Sequence, residues 1–193
     1  MYQIVAKRAT NWLVQGGSVS EENREVYEFG LDKLFTMLSN ILVAAVIGLL
    51  FGMFAQMLTF YATYIALRVY AGGYHADKPL RCFFLSIGSI VPCLLAIRFQ
   101  QMWNVPLVFY GLLGLGIFTL VALGPVEHKN KKLDEVEKRV YRFRLLRNLM
   151  IVTAGAIVLS VISLPNYAAA VLCGILLVTI TAIIGKVKLM SQT

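Results

Sequence analysis

The chain contains few of the residues that build metal centres or disulfide frameworks. Only three cysteines and two histidines occur among its 193 residues. The cysteines lie far apart without metal-ligand spacing, which argues against a disulfide scaffold or a zinc site. No Gly-x-Ser-x-Gly or His-Glu-x-x-His motif of a serine or zinc hydrolase occurs, and Gly111, Gly114 and Gly116 form no phosphate loop. We therefore expect no metal and no other cofactor.

Charge is also missing from long stretches of the chain. No Asp, Glu, Lys or Arg occurs between Leu34 and Leu67 or between Asn148 and Gly185, and 59% of all residues are hydrophobic. A charged side chain at the bilayer centre costs roughly 2.5 to 3.5 kcal/mol on insertion scales. The sequence therefore predicts an all-α integral membrane protein. Because the predicted spans contain no acidic residue, a proton-driven transporter and an aspartyl intramembrane protease are both disfavoured.

We predict one polytopic membrane domain over residues 1–193, with about six transmembrane helices. The uncharged run 34–67 exceeds one span of about 20 residues. It either forms two helices that turn near Gly52 to Gln56, or remains one long tilted helix. With two helices there, the predicted spans cover approximately residues 34–51, 56–70, 79–99, 106–123, 148–164 and 167–185.

Residues 1–33 precede the first predicted span and form a cytoplasmic or interfacial amphipathic region. Its apolar residues Val5, Ala9, Trp12 and Leu13 recur at helical spacing. This pattern is typical of a helix lying in the membrane interface. Such a helix is either a plain anchor or a docking surface for an amphipathic peptide.

The basic residues indicate an orientation. With six spans, all of the 18 Lys and Arg residues except Arg98 lie on one side, together with all ten acidic residues. The positive-inside rule makes that side cytoplasmic, so both termini and the loops at 68–81 and 124–147 are predicted there. The net charge of +8 is therefore interpreted as a topology signal. The Lys and Arg residues are expected to contact membrane lipids. No nucleic-acid partner is expected.

A polar loop between two predicted spans contains the best candidate active site. His75 precedes Cys82 by seven residues, and a cysteine beside an imidazole is a common nucleophile and base. Gly72 and Gly73 favour an interruption of helix, and Pro79 suits the first turn of the next helix, so Cys82 would lie near a helix N-terminus. Alternatively, Cys82 is an inert membrane cysteine and His75 an interfacial polar residue.

The other cysteines and histidine rank lower as functional residues. Cys93 and Cys173 lie inside apolar spans, where free cysteine usually serves as a small packing residue. His128 in the next basic loop is a rival base to His75. We rank His75 first because it shares a loop with Cys82.

The stretch Arg-x-Tyr-Ala-Gly-Gly-Tyr-His-Ala at 68–76, the cysteine seven residues after the histidine, and the basic loop at 128–132 resemble the AgrB (accessory gene regulator protein B) family. These are membrane cysteine endopeptidases of Gram-positive bacteria that process AgrD precursors of quorum-sensing peptides. The resemblance implies that His75 and Cys82 are catalytic. It also implies an acyl-enzyme thioester on Cys82, release of a thiolactone autoinducing peptide, an AgrD-like precursor as partner, and a homodimer in the bacterial cell membrane.

Several other residues are candidates for supporting roles. Asp77 could orient His75, Gly73 belongs to the glycine break, and Arg68 is expected to pair with an acid or a phospholipid. Lys129, Lys131 and Lys132 are candidates for binding an acidic part of the substrate, although the same charges would equally serve as a topology anchor. The alternative function is a non-catalytic membrane peptide exporter or a binding or assembly protein.

Overall fold

The computed structural model describes residues 2–74, 79–102, 105–127 and 133–191, with the backbone alone described at 79–82. Within these residues the regular structure is helical, as predicted. Seven α-helices follow in chain order: α1 Gln3–Gln15, α2 Arg24–Leu50, α3 Phe54–Ala71, α4 Pro79–Arg98, α5 Pro106–Leu123, α6 Glu135–Val161 and α7 Pro165–Met190. Two short 3-10 helices lie at Glu21–Asn23 and Gln100–Met102.

Four helical segments in the described part of the chain are long and apolar enough to cross a membrane. They are Glu21–Leu50, which joins the first 3-10 turn to α2, and the helices α5, α6 and α7. The portion Phe83–Arg98 of α4 is a shorter apolar helix. The prediction of an all-α membrane protein is therefore confirmed. The six spans with their limits, and the assignment of 1–193 to one domain, stay predictions.

Helix boundaries agree with the predicted breaks at some points and differ at others. The uncharged run 34–67 contains a turn at residues 51–53, where α2 ends and α3 begins. Helix α4 begins at Pro79, as predicted. Helix α6 begins at Glu135, well before the predicted span at 148, because the side chain of Asp134 accepts from the Glu137 amide in a capping box.

The chain divides into two compact units, and the first contains residues 1–46 and 76–88. In this unit α1 lies antiparallel to the beginning of α2. The Tyr2 amide donates to Asp32 Oδ1 at 3.0 Å, and Lys7 Nζ lies 3.8 Å from Glu28 Oε1. These polar contacts attach one face of α1 to α2.

The opposite face of α1 is apolar and exposed. Ala6 and Thr10 are fully buried, whereas Ile4, Val5 and Trp12 are exposed, with Trp12 at 75%. A soluble protein would turn the large apolar residues inward, but a helix in the membrane interface buries them in the lipid headgroup region. The predicted N-terminal amphipathic helix is therefore present as α1, and its location in the membrane interface stays a prediction.

The second unit contains residues 47–75 and 89–193, and α7 forms its centre. Helices α3, α5 and α6 all pack on α7, and α3 also packs on α6. Small residues permit this close approach; a Cβ atom at Gly174 would lie 2.9 Å from Thr63 Cβ on α3. One hydrogen bond also joins α6 to α3, from Asn148 Nδ2 to the Ala66 carbonyl at 2.9 Å.

Candidate functional site

The structure describes only part of the predicted site. His75, Asp77, His128, Lys129, Lys131 and Lys132 lie outside the described residues. Cys82 belongs to the first turn of α4, where the backbone alone is described. Arg68 and Gly73 are both described, and they lie together. The candidate site is therefore built from residues 72–74, which lead directly into His75 and are called the 72–74 segment below.

Two glycines turn the chain out of α3 into this segment. Gly72 has φ 66° and ψ −150°, and Gly73 has φ 114°. The Gly72 conformation belongs to a region that residues with side chains scarcely enter. A Cβ atom at Gly72 would also overlap the carbonyl oxygen of Val126. Both the backbone angles and the available space therefore require glycine here.

Arg68 fastens the segment from the α3 side. Its guanidinium donates to the carbonyl oxygens of Gly72 and Tyr74. We expected Arg68 to pair with an acid or a phospholipid. In the structure its guanidinium donates hydrogen bonds to backbone carbonyls. The physical reason is that carbonyls at a helix end lack helical donors, and the forked guanidinium can satisfy two acceptors.

Helix α7 holds the other side of the segment. The Tyr74 amide donates to the Thr181 carbonyl at 2.8 Å. Lys188 Nζ lies 5.0 Å from the centre of the Tyr74 ring, within the range of a cation–π interaction. The backbone immediately before His75 is therefore bonded to two helices that are far apart in sequence.

The chain after α5 also reaches this place. The Val126 amide donates to the Ala71 carbonyl at 2.8 Å, and Val126 forms an isolated parallel β-bridge with Gly72. The next residue, Glu127, lies 3.0 Å from Lys138 Nζ on α6. The carboxylate of Glu127 thus pairs with Lys138.

Aromatic and cationic side chains surround the same end of α3. The Tyr70 and Tyr141 rings meet edge to face with centroids 5.8 Å apart, and the Arg144 guanidinium lies 5.8 Å from the Tyr70 centroid. Together with Lys188, Arg144 makes this region electropositive. Sequence reasoning interpreted these cations through their charge alone. Their spacing from Tyr70 and Tyr74 along the chain gave no sign of the contacts.

The two remaining cysteines are brought together by the fold. The thiols of Cys93 on α4 and Cys173 on α7 lie next to each other, and both cysteines are free. Cys173 is buried, in agreement with a packing role. Their proximity was not predicted, because nothing in two apolar segments that are distant in sequence indicates which faces meet.

The fold and these contacts define an all-α integral membrane protein in which hydrogen bonds to α3 and α7 hold the backbone just before His75. A family model described as Accessory gene regulator B matches residues 6–182. The chain belongs to the AgrB family.

Individual relatives are similar over shorter stretches. An AgrB-like protein of Clostridium perfringens (strain SM101 / Type A) is 30% identical over 123 residues, which cover 61% of this chain and 58% of that protein. AgrB-like protein 2 of C. perfringens (strain 13 / Type A) is 27% identical over 142 residues, which cover 71% of this chain and 64% of the relative. The chain thus spans about three fifths of the length of these relatives. No solved structure matches it.

Proposed function

We propose that this chain is a membrane cysteine endopeptidase of an agr quorum-sensing system and that it cleaves an AgrD-type precursor peptide. The observation that carries the proposal is Cys82 in the first turn of α4 in a chain that matches the AgrB family over residues 6–182. The positive end of the helix dipole favours a thiolate at such a position. His75, which precedes Cys82 by seven residues, is the proposed base.

The proposed reaction has two steps. Cys82 gives its proton to His75, and the sulfur attacks a backbone carbonyl of the precursor to form a C–S bond. The peptide C–N bond then breaks, the leaving amine takes the proton from His75, and an acyl-enzyme thioester remains. A cysteine within the precursor attacks this thioester and releases Cys82 as a thiol. Because one thioester replaces another, ring closure to a thiolactone needs no nucleotide.

The proposed substrate contact involves the basic residues at 128–132, which follow α5 in the sequence. Lys129, Lys131 and Lys132 would attract an acidic part of the precursor by long-range electrostatics. Replacing all three with Gln should raise the apparent KM, and the difference from wild type should shrink as salt is added. Equal KM values at low and high salt would limit these lysines to a topology role.

The proposed setting is a homodimer in a bacterial cell membrane, with both termini and the His-Cys loop in the cytoplasm. A six-span arrangement puts the basic connections on that side. Cytoplasmic and periplasmic reporters fused after residue 130 test the orientation, and an extracytoplasmic reporter signal would contradict it. Cross-linking of two differently tagged copies in intact membranes tests the dimer.

A direct test replaces the nucleophile. In cells that express an AgrD-type precursor, Cys82→Ala and His75→Ala should abolish cleavage, whereas Cys93→Ala should retain it. The variant Cys82→Ala removes only the sulfur atom, so loss of folding should not confound the result, and protein abundance in the membrane checks this. A peptide exporter or assembly protein would tolerate Cys82→Ala, and retained peptide maturation would therefore favour that alternative.

A further inference from the structure

Helix α7 presents a glycine where the 72–74 segment approaches it. A Cβ atom at Gly185 would lie 2.5 Å from the Tyr74 nitrogen and 2.6 Å from the Gly73 carbonyl carbon. Both distances are far below van der Waals contact. Any side chain at residue 185 would therefore collide with the backbone of the segment.

Helix geometry explains why the glycine stands at this residue. Side chains of an α-helix lean toward its N-terminus and cover the preceding turn. A side chain at residue 185 would cover the carbonyl of Thr181, four residues earlier. That carbonyl has two lone pairs, one for the helical bond and one for an outside donor. The Tyr74 amide occupies the second site at 2.8 Å, and Gly185 leaves it open.

We propose that Gly185 is a positioning residue, whose missing side chain lets the 72–74 segment dock on the Thr181 carbonyl. This inference rests on the proposed function, because the segment ends one residue before the proposed base His75. A displacement of about 1 Å in a catalytic group can reduce a rate by roughly a hundredfold. Gly185 would thus act on catalysis through the backbone, without touching the substrate.

Other glycines of the same unit provide matched comparisons. Gly174 also lies on α7, but a Cβ atom there would meet Thr63 and Phe60 of α3, so Gly174 serves helix packing. Gly155 on α6 has no atom within 4 Å of such a Cβ. Alanine variants at Gly185, Gly174 and Gly155 therefore distinguish three effects: docking of the segment, helix packing and helix propensity, respectively.

The first measurement is hydrogen–deuterium exchange of the Tyr74 amide in the full chain, reconstituted in lipid nanodiscs. The wild-type amide should be protected, and Gly185→Ala should speed its exchange at least about tenfold. Gly155→Ala should leave it protected, and Gly174→Ala should lower thermal stability without selective exposure of Tyr74. An unprotected wild-type amide, or one unaffected by Gly185→Ala, would overturn the docking.

The second measurement concerns chemistry. Gly185→Ala should slow cleavage of an AgrD-type precursor at least about tenfold. The rate of Cys82 alkylation, measured as a function of pH, should also shift toward the pH dependence of the His75→Ala variant. Gly174→Ala should not move this profile. If Gly185→Ala exposes Tyr74 but leaves cleavage and the profile unchanged, the positioning role is wrong. If wild type itself fails to cleave any precursor, the proposed function fails, while the exchange result still decides the docking.

Discussion

Two chain connections at the ends of α3 both use glycine in left-handed backbone conformations, yet for different reasons. At the α2–α3 turn, Gly52 has φ 65° and nothing within 4 Å of a Cβ position. After α3, Gly72 and Gly73 also have positive φ, but carbonyl groups crowd both Cβ positions. Gly52 only permits a turn, whereas Gly72 and Gly73 also permit close contact with the chain after α5 and with α7.

The comparison indicates where the fold concentrates its constraints. A turn that only reverses the chain needs suitable backbone angles and little else. A segment that must be held in one place needs donors, acceptors and space on several sides. The 72–74 segment has all three: Arg68 on α3 donates, the Thr181 carbonyl on α7 accepts, and Gly185 on α7 leaves the space. This difference fits a connection that carries the proposed catalytic histidine.

The largest expected effect comes from Gly72→Ala. The added methyl group overlaps the Val126 carbonyl, and the backbone angles are nearly restricted to glycine. We expect the apparent free energy of unfolding to fall by about 3 kcal/mol or more, with loss of precursor cleavage. Thermal unfolding in detergent micelles measures this change. A variant as stable as wild type would contradict the close approach of the Val126 carbonyl to Gly72.

Arg68→Lys should have the next largest effect. Lysine keeps the positive charge but loses the fork that serves the Gly72 and Tyr74 carbonyls together. We expect a loss of about 1 to 3 kcal/mol in the free energy of unfolding and faster exchange at Tyr74. The exposed Arg142 on α6 provides the matched Arg→Lys control. Equal behaviour of the two variants would reduce Arg68 to a simple charge.

Gly52→Ala should have a moderate effect that is confined to stability. An alanine in the left-handed region costs roughly 1 to 2 kcal/mol, but the turn offers open space for its methyl group. Cleavage by the folded fraction should equal that of wild type. Thermal unfolding and a precursor assay normalised to folded protein measure the two quantities. A selective loss of cleavage would contradict the distinction between the two connections.

The smallest effect is expected at the α6–α7 turn, where Ser163 has φ 60°. Ser163→Gly removes roughly 1 to 2 kcal/mol of left-handed strain, but the added freedom of the unfolded chain offsets about 0.4 to 1 kcal/mol. The net stabilisation should lie between about 0 and 1.6 kcal/mol, seen as a slightly higher Tm with unchanged cleavage. A lower Tm would mean that the Ser163 side chain stabilises the turn more than its strain costs.

Local patterns predicted many helix limits but not the beginning of α6. The uncharged run before Gly185 suggested a span from residue 148, although α6 begins at Glu135. The spacing of Asp134 and Glu137 is a capping-box signal that would have located the start. For Arg68, the charge was evident, but its carbonyl partners depended on how the chain leaves α3.

The sequence by itself determined that this protein is helical and membrane-embedded, because apolar run length and charge placement act through the local cost of burying charge in lipid. It also carried the family resemblance through residues 68–82. Only the tertiary structure decided that Tyr74 reaches Thr181, that Val126 pairs with Ala71, and that Gly185 must lack a side chain. Such contacts join segments distant in sequence, and they depend on which helix faces meet when the apolar surfaces pack together.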